Sequence, residues 1–124
     1  MNEYITIILV RKGKTMSAQT KSPLQDHVNE IANNLNNGET NEDGDFASGF
    51  DYLEDALDIQ YIVNGDKQFL GARILVAFGG PNIWVNTQTK TVEGYWWGES
   101  KFASYHNDEM DVEGAVQELW DCIA

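Results

Sequence analysis

Carboxylates are the side chains of this sequence with the clearest capacity for chemistry, and they concentrate in one stretch. Residues 39–58 carry eight aspartates and glutamates and no lysine or arginine. Such a cluster can bind a cation, exchange protons with a substrate, or form a repulsive surface that a basic partner relieves. A calcium loop starting at Glu39 requires a bidentate glutamate at its twelfth position, where this chain has Phe50. We therefore expect neither a calcium loop nor any other bound metal.

Other reactive side chains show no catalytic pattern. His27 and His106 lie in polar sequence without a serine or cysteine motif, and Cys122 stands alone near the end of an amphipathic segment. Gly79-Gly80-Pro81 lacks the lysine and the following helix of a phosphate-binding loop. We predict a protein that is not an enzyme and uses no cofactor. A small enzyme with a carboxylate pair in a cleft is kept as an alternative.

One predicted helix precedes the acidic stretch, and a second predicted helix lies within it. Ser22-Pro23-Leu24-Gln25 is a helix start with a capping box, and Asn36-Asn37-Gly38 ends that helix. Phe46, Phe50, Leu53 and Leu57 then predict a second helix of about three turns with one apolar stripe. Its wet side would carry four carboxylates at positions i, i+3, i+4 and i+7, which form one row along a helix. These are Asp51, Glu54, Asp55 and Asp58.

The rest of the chain predicts strands and a final helix. Apolar alternation indicates strands at residues 59–63, 69–78, 83–85 and 92–97, with a possible fifth at 101–105, and Asn64-Gly65 predicts a two-residue hairpin turn. An amphipathic helix begins at a cap on Asp111 and places Glu113 and Glu118 on its polar side. We expect an α+β fold: a four- to five-stranded antiparallel meander with two N-terminal helices and one C-terminal helix packed on one face.

Tyr95-Trp96-Trp97 places large aromatics on a predicted strand. Successive side chains of a strand point to opposite faces, so Trp96 would lie on one face and Tyr95 and Trp97 on the other. If helices cover one face only, some of these rings, with Trp84, lie on the open face. They serve either as second-layer packing or as a contact patch for a protein partner, and Trp97 is the candidate contact residue.

Length and charge limit the organisation and the partners. A chain of 124 residues suits one domain, expected at residues 22–124, preceded by an extended or disordered segment at 1–21. Arg11-Lys12-Gly13 can be encoded by a ribosome-binding-like purine run, so Met16 is an alternative start. The formal net charge of −12 opposes binding to nucleic acid or to an anionic membrane. The single cysteine suits a reducing bacterial cytoplasm.

The small size, the acidity, the lack of catalytic motifs and the acidic helical row together resemble the anti-defence proteins of phages and mobile elements. These are the anti-CRISPR and anti-restriction inhibitors of the DNA-mimic type. The stretch FGGPNIWVNTQTKTVEGYWWG, residues 78–98, is also similar to stretches in small proteins of mobile elements. The resemblance is one of overall character, and it implies an inhibitor without transferring a fold or residue roles.

A row of carboxylates can imitate the regularly spaced phosphates of a nucleic acid. Our leading hypothesis is a monomeric or homodimeric inhibitor whose acidic surface occupies a basic nucleic-acid-binding groove of a bacterial defence complex, such as a CRISPR effector or a restriction enzyme. The predicted partner-binding residues are Asp51, Glu54, Asp55, Asp58, Glu113, Glu118 and Trp97. The alternative binding hypothesis is a module that uses the aromatic sheet face, in which the acid only keeps the protein in solution.

Overall fold

The structure, a computed structural model, describes residues 22–124, so the expectations for residues 1–21 and for Met16 lie outside the described residues. None of the helices in residues 22–124 is both long and apolar enough to cross a membrane. The eight elements, in chain order, are α1 (Pro23–Asn37), α2 (Gly49–Leu53), β1 (Asp58–Val63), β2 (Phe69–Ala77), β3 (Asn82–Asn86), β4 (Thr91–Trp96), β5 (Glu99–Ser104) and α3 (Val112–Ile123).

Helix α1 begins and ends as its sequence predicts. The Ser22 hydroxyl accepts a hydrogen bond from the Gln25 backbone amide at 3.3 Å, and Gly38, at φ +86°, ends the helix. The Gln25 side chain does not complete a capping box. Its amide donates to the Phe102 carbonyl at 3.2 Å, which fastens the start of α1 to β5.

The sheet is an antiparallel meander of five strands in the order β1-β2-β3-β4-β5, which confirms the α+β class and the fifth strand. The predicted two-residue turn at Asn64-Gly65 is wrong. Five residues, 64–68, join β1 to β2, because the Asn64 carboxamide oxygen accepts the amides of Asp66 and Gln68 and folds a wider loop. The two-residue turn lies instead at Trp97-Gly98, between β4 and β5.

One core forms between the helices and one face of the sheet. Val28 and Leu35 of α1 and Val112 and Val116 of α3 lie in a single buried cluster with the inward side chains of β2, β3 and β4. Gly94 of β4 makes the close approach of α1 possible. A Cβ at that position would meet Val28 at 2.7 Å and Leu24 at 2.9 Å.

The second N-terminal helix differs most from the sequence prediction. Helix α2 has five residues in place of about three turns, and Phe46, Phe50 and Leu57 of the predicted apolar stripe are exposed. Like charges four residues apart oppose a longer helix here. The Leu57 amide instead donates to the Leu75 carbonyl at 2.8 Å, and the chain enters β1 at Asp58. Sheet pairing therefore takes over residues that the sequence pattern assigns to a helix.

Candidate functional site: an acidic cleft beside an aromatic cleft

A cleft of about 370 Å³ lies between α1, the loop at residues 39–47 and α2. We call it the acidic cleft, because five carboxylates line it and, within residues 22–124, neither a lysine nor an arginine does. It is lined by His27, Ile31, Glu39, Thr40, Asn41, Glu42, Ala47, Asp51, Tyr52, Glu54, Asp55 and Val76. Three members of the predicted helical row therefore meet in this cleft, while Asp58 lies outside it on β1.

Asp51 has a structural task in the cleft. Its carboxylate accepts the Ser48 backbone amide at 2.9 Å, and the Ser48 hydroxyl accepts the Asp51 amide at 3.1 Å, so the two residues form the capping box of α2. The Asn41 carboxamide also donates to Asp51, at 3.4 Å. These hydrogen bonds, chiefly the one from Ser48, hold the pKa of Asp51 below its ordinary value. Replacing Asp51 would disturb the fold together with the surface charge.

Three carboxylates of the cleft are exposed: Glu42 of the loop, and Glu54 and Asp55 directly after α2. The side chains of Glu54 and Asp55 take part in no hydrogen bond or ion pair recorded among residues 22–124. Asp58 is also exposed, but one of its oxygens accepts the adjacent Ile59 amide at 2.9 Å. Glu54 and Asp55 can therefore be changed with the least disturbance of the fold.

The sequence patterns did not predict that Glu39 and Glu42 line the acidic cleft together with Asp51, Glu54 and Asp55. The loop that carries them is compact: Thr40 bridges to Phe46, and the Asn41 side-chain oxygen accepts the amides of Asp43 and Asp45. This folding lays the loop against α1 and α2. Asn41 was a signal for such an Asx-type turn, because an asparagine side chain readily accepts the backbone amide two residues on, although it does not tell where the loop docks.

The ion pairs of the described chain lie away from the acidic cleft. Three pairs are recorded in residues 22–124: Arg73 with Glu93 at 2.8 Å, Lys90 with Glu113 at 3.6 Å and Lys101 with Glu99 at 3.7 Å. Among the predicted partner-binding residues, Glu113 is thus engaged, and Glu118 is exposed on α3 outside the cleft. Within the same described residues, no grouping of three histidine, cysteine, aspartate or glutamate side chains suits a metal ion.

A second cleft, of about 460 Å³, lies at the end of the sheet where β2 turns into β3 and β4 turns into β5. We call it the aromatic cleft; its lining residues are Gly79, Pro81, Asn82, Tyr95, Trp96, Trp97, Gly98, Glu99 and Ser100. Trp97 is not a strand residue as predicted. It occupies the two-residue turn at φ +54°, with 89% of its surface exposed, and Gly98 follows at φ +77°.

The remaining predicted aromatic, Trp84, lies on the open face of the sheet, which we define as the face away from the helices. There the Arg73 guanidinium lies 4.4 Å from the centre of the Trp84 ring and pairs with Glu93. Glu93 also accepts the Tyr95 hydroxyl at 3.1 Å and the Asn86 carboxamide at 3.2 Å. Burial, the nearby Glu93 charge and this hydrogen bond raise the pKa of Tyr95. The open face is therefore an internally satisfied polar and aromatic network.

The two clefts are neighbours through strand β2. Val76 lines the acidic cleft and Gly79 lines the aromatic cleft, with Ala77 and the exposed Phe78 between them. Three residues span at most about 11 Å of extended chain. Lining residues of the two clefts therefore lie within about 11 Å of each other along β2 and the loop after it.

Comparison of the chain with protein-family models, with curated proteins and with solved structures finds no match.

Proposed function

We propose that this protein is a non-enzymatic inhibitor or binding protein whose acidic surface around the acidic cleft occupies a basic, nucleic-acid-binding groove of another protein, such as a CRISPR effector or a restriction enzyme of a bacterial defence complex. The carboxylates would take the place of nucleic-acid phosphates in that groove. The sequence predicts that a row of carboxylates on one helix contacts the partner. The proposal assigns this contact to the cleft that is lined by Glu39, Glu42, Asp51, Glu54 and Asp55.

One observation carries the proposal: five carboxylates converge on one concavity that no lysine or arginine of residues 22–124 lines. Like charges that line one cleft repel one another and lower the stability of the fold slightly. A basic partner removes that repulsion, and the net charge of −12 steers such a partner toward the protein. The same charge disfavours direct binding to nucleic acid.

The test compares two double variants with equal charge changes. Glu54→Lys/Asp55→Lys alters the exposed part of the cleft and leaves the Asp51 capping box in place. Asp66→Lys/Asp121→Lys alters exposed carboxylates on the β1–β2 loop and on α3, away from the cleft. Each raises the formal net charge by four, from −12 to −8. A difference between the two variants therefore reports position rather than total charge.

The wild-type protein and both variants are immobilised and exposed to a bacterial lysate, and bound proteins are eluted with duplex DNA. We expect the wild type and the control variant to capture a nucleic-acid-binding protein that DNA displaces and that added salt releases. The cleft variant should lose it. Equal capture by both variants, or a captured protein that duplex DNA fails to displace, contradicts the proposed function.

A further inference from the structure

Trp97 is the residue of the aromatic cleft that the fold explains least. Bulky side chains are rare at φ +54°, and two-residue turns of this kind favour asparagine or glycine at the first position. The ring is 89% exposed, so packing against residues 22–124 does not offset the unfavourable backbone conformation. Strained residues of this kind concentrate at functional contacts. Trp97 is therefore placed for contact with another molecule.

The aromatic cleft can hold a cation through its rings, because indole rings attract cations to their faces. The half-exposed Glu99 beside them is already paired with Lys101 at 3.7 Å, so the rings supply the local attraction. The open face of the sheet already shows such a contact between a cation and an indole ring, because Arg73 lies over Trp84 and pairs with Glu93. A planar guanidinium stacks on an aromatic ring, which a lysine ammonium cannot do. Arginine therefore fits the cleft better than lysine.

Charge selects between a protein and a nucleic acid as the occupant. Bases also stack on aromatic rings, but single-strand binding sites combine such rings with a basic groove. Here the neighbouring concavity is the acidic cleft, and the whole chain carries a net charge of −12. The surroundings of Trp97 are thus complementary to a basic protein segment.

We infer that the aromatic cleft binds an arginine side chain of the basic protein partner, with Trp97 stacked on the guanidinium, while the acidic cleft binds neighbouring basic side chains. The inference rests on the proposed function, since it assigns the second contact of the same partner. It makes arginine content, beyond positive charge, a determinant of recognition.

The experiment measures binding of fluorescently labelled nona-arginine and nona-lysine peptides to the full chain by anisotropy at moderate salt. The variants are Trp97→Asn and Trp97→Gly, both of which suit the turn, and Trp120→Phe is the matched control on α3, where the Trp120 ring contacts Tyr61. We expect the wild type and Trp120→Phe to prefer nona-arginine by about two- to five-fold, the size of an exposed cation–π contact. Both Trp97 variants should lose most of this preference, and only the part that arginine gains by pairing with the carboxylates of the acidic cleft should remain.

Different outcomes separate this inference from the proposed function. If the wild type binds both peptides without preference, or if the Trp97 variants keep the full preference of the wild type for arginine, the inference is wrong and the acidic cleft is unaffected. If Glu54→Lys/Asp55→Lys binds both peptides as strongly as Asp66→Lys/Asp121→Lys does, the proposed function is wrong, whereas an arginine preference that depends on Trp97 would still stand. If neither peptide binds the wild type, both are wrong.

Discussion

The carboxylate on the open face of the sheet is nearly buried and fully hydrogen-bonded, whereas two carboxylates of the acidic cleft are exposed and unpaired within residues 22–124. On the open face, the Glu93 side chain is only 12% exposed, and both of its oxygens accept hydrogen bonds, from Arg73, Tyr95 and Asn86. In the acidic cleft, Glu54 and Asp55 are exposed and pair with no lysine or arginine of residues 22–124. Glu93 is therefore part of the fold, whereas Glu54 and Asp55 are available to a partner.

The largest expected effect is the loss of the Glu93 network. Glu93→Gln keeps the shape but leaves one acceptor oxygen and no charge for Arg73, so one donor of the network loses its partner. We expect a loss of about 2 kcal/mol in the free energy of unfolding, the usual worth of hydrogen bonds to a charged group. Urea denaturation measures it.

The matched control for Glu93→Gln is Glu113→Gln, which removes the more exposed pair with Lys90. An exposed ion pair contributes under about 1 kcal/mol, so this variant should change stability little. Equal losses in the two variants would contradict the view that the open face is held together by Glu93.

A smaller effect, of opposite sign, is expected at the aromatic cleft. Trp97→Asn places a residue that tolerates left-handed backbone in the two-residue turn, and it removes an exposed ring that packs little. We expect a gain of about 1 kcal/mol in the free energy of unfolding, seen as a higher melting temperature. A clear loss of stability would mean that Trp97 serves the fold, and it would remove the argument that strain marks it for binding.

The sequence predicted the elements whose patterns agree with their surroundings. Ser22 and Gly38 bound α1, Asp111 caps α3, and strand alternation gave the meander, because local preference and tertiary packing point to the same structure in these places. Two of the turns differ from the sequence prediction. Asn64-Gly65 had the strongest short-turn signal yet lies in a wider loop, whereas Trp97-Gly98 forms the short turn with a residue that local preference disfavours.

The candidate site was predicted only in part, for a physical reason. Helical spacing connected Asp51, Glu54 and Asp55, and these three do meet, although in a cleft instead of a helical row. Glu39 and Glu42 join them only because the 39–47 loop folds against α1, which is a tertiary contact without a sequence period. Likewise, the end of α2 at Leu53 depends on the pairing of Leu57 with Leu75 across the chain.

The charge variants should separate binding from stability. Glu54→Lys/Asp55→Lys removes repulsion at the cleft and breaks no hydrogen bond recorded among residues 22–124. We expect its free energy of unfolding to stay within about 0.5 kcal/mol of the wild type, as for other exposed substitutions. Thermal and urea denaturation check this before any binding measurement. A loss as large as that of Glu93→Gln would show that the cleft carboxylates are also part of the fold.

The smallest effect concerns Asp51, the cleft carboxylate that belongs to the fold. Because hydrogen bonds from Ser48 and Asn41 lower its pKa in the folded protein, the unfolded chain takes up the proton first as the pH falls. The stability that Asp51 contributes is therefore complete above its unfolded value of 3.8 and is lost as the pH falls through the folded pKa. Asp51→Asn lacks this charge, so its melting temperature should lie below that of the wild type at about pH 7 and approach it as the pH falls below 3.8 and through the folded pKa. A difference between wild type and Asp51→Asn that is constant with pH would mean that the Asp51 charge adds nothing to the capping box, and the division between fold-bearing and available carboxylates would then fail inside the cleft itself.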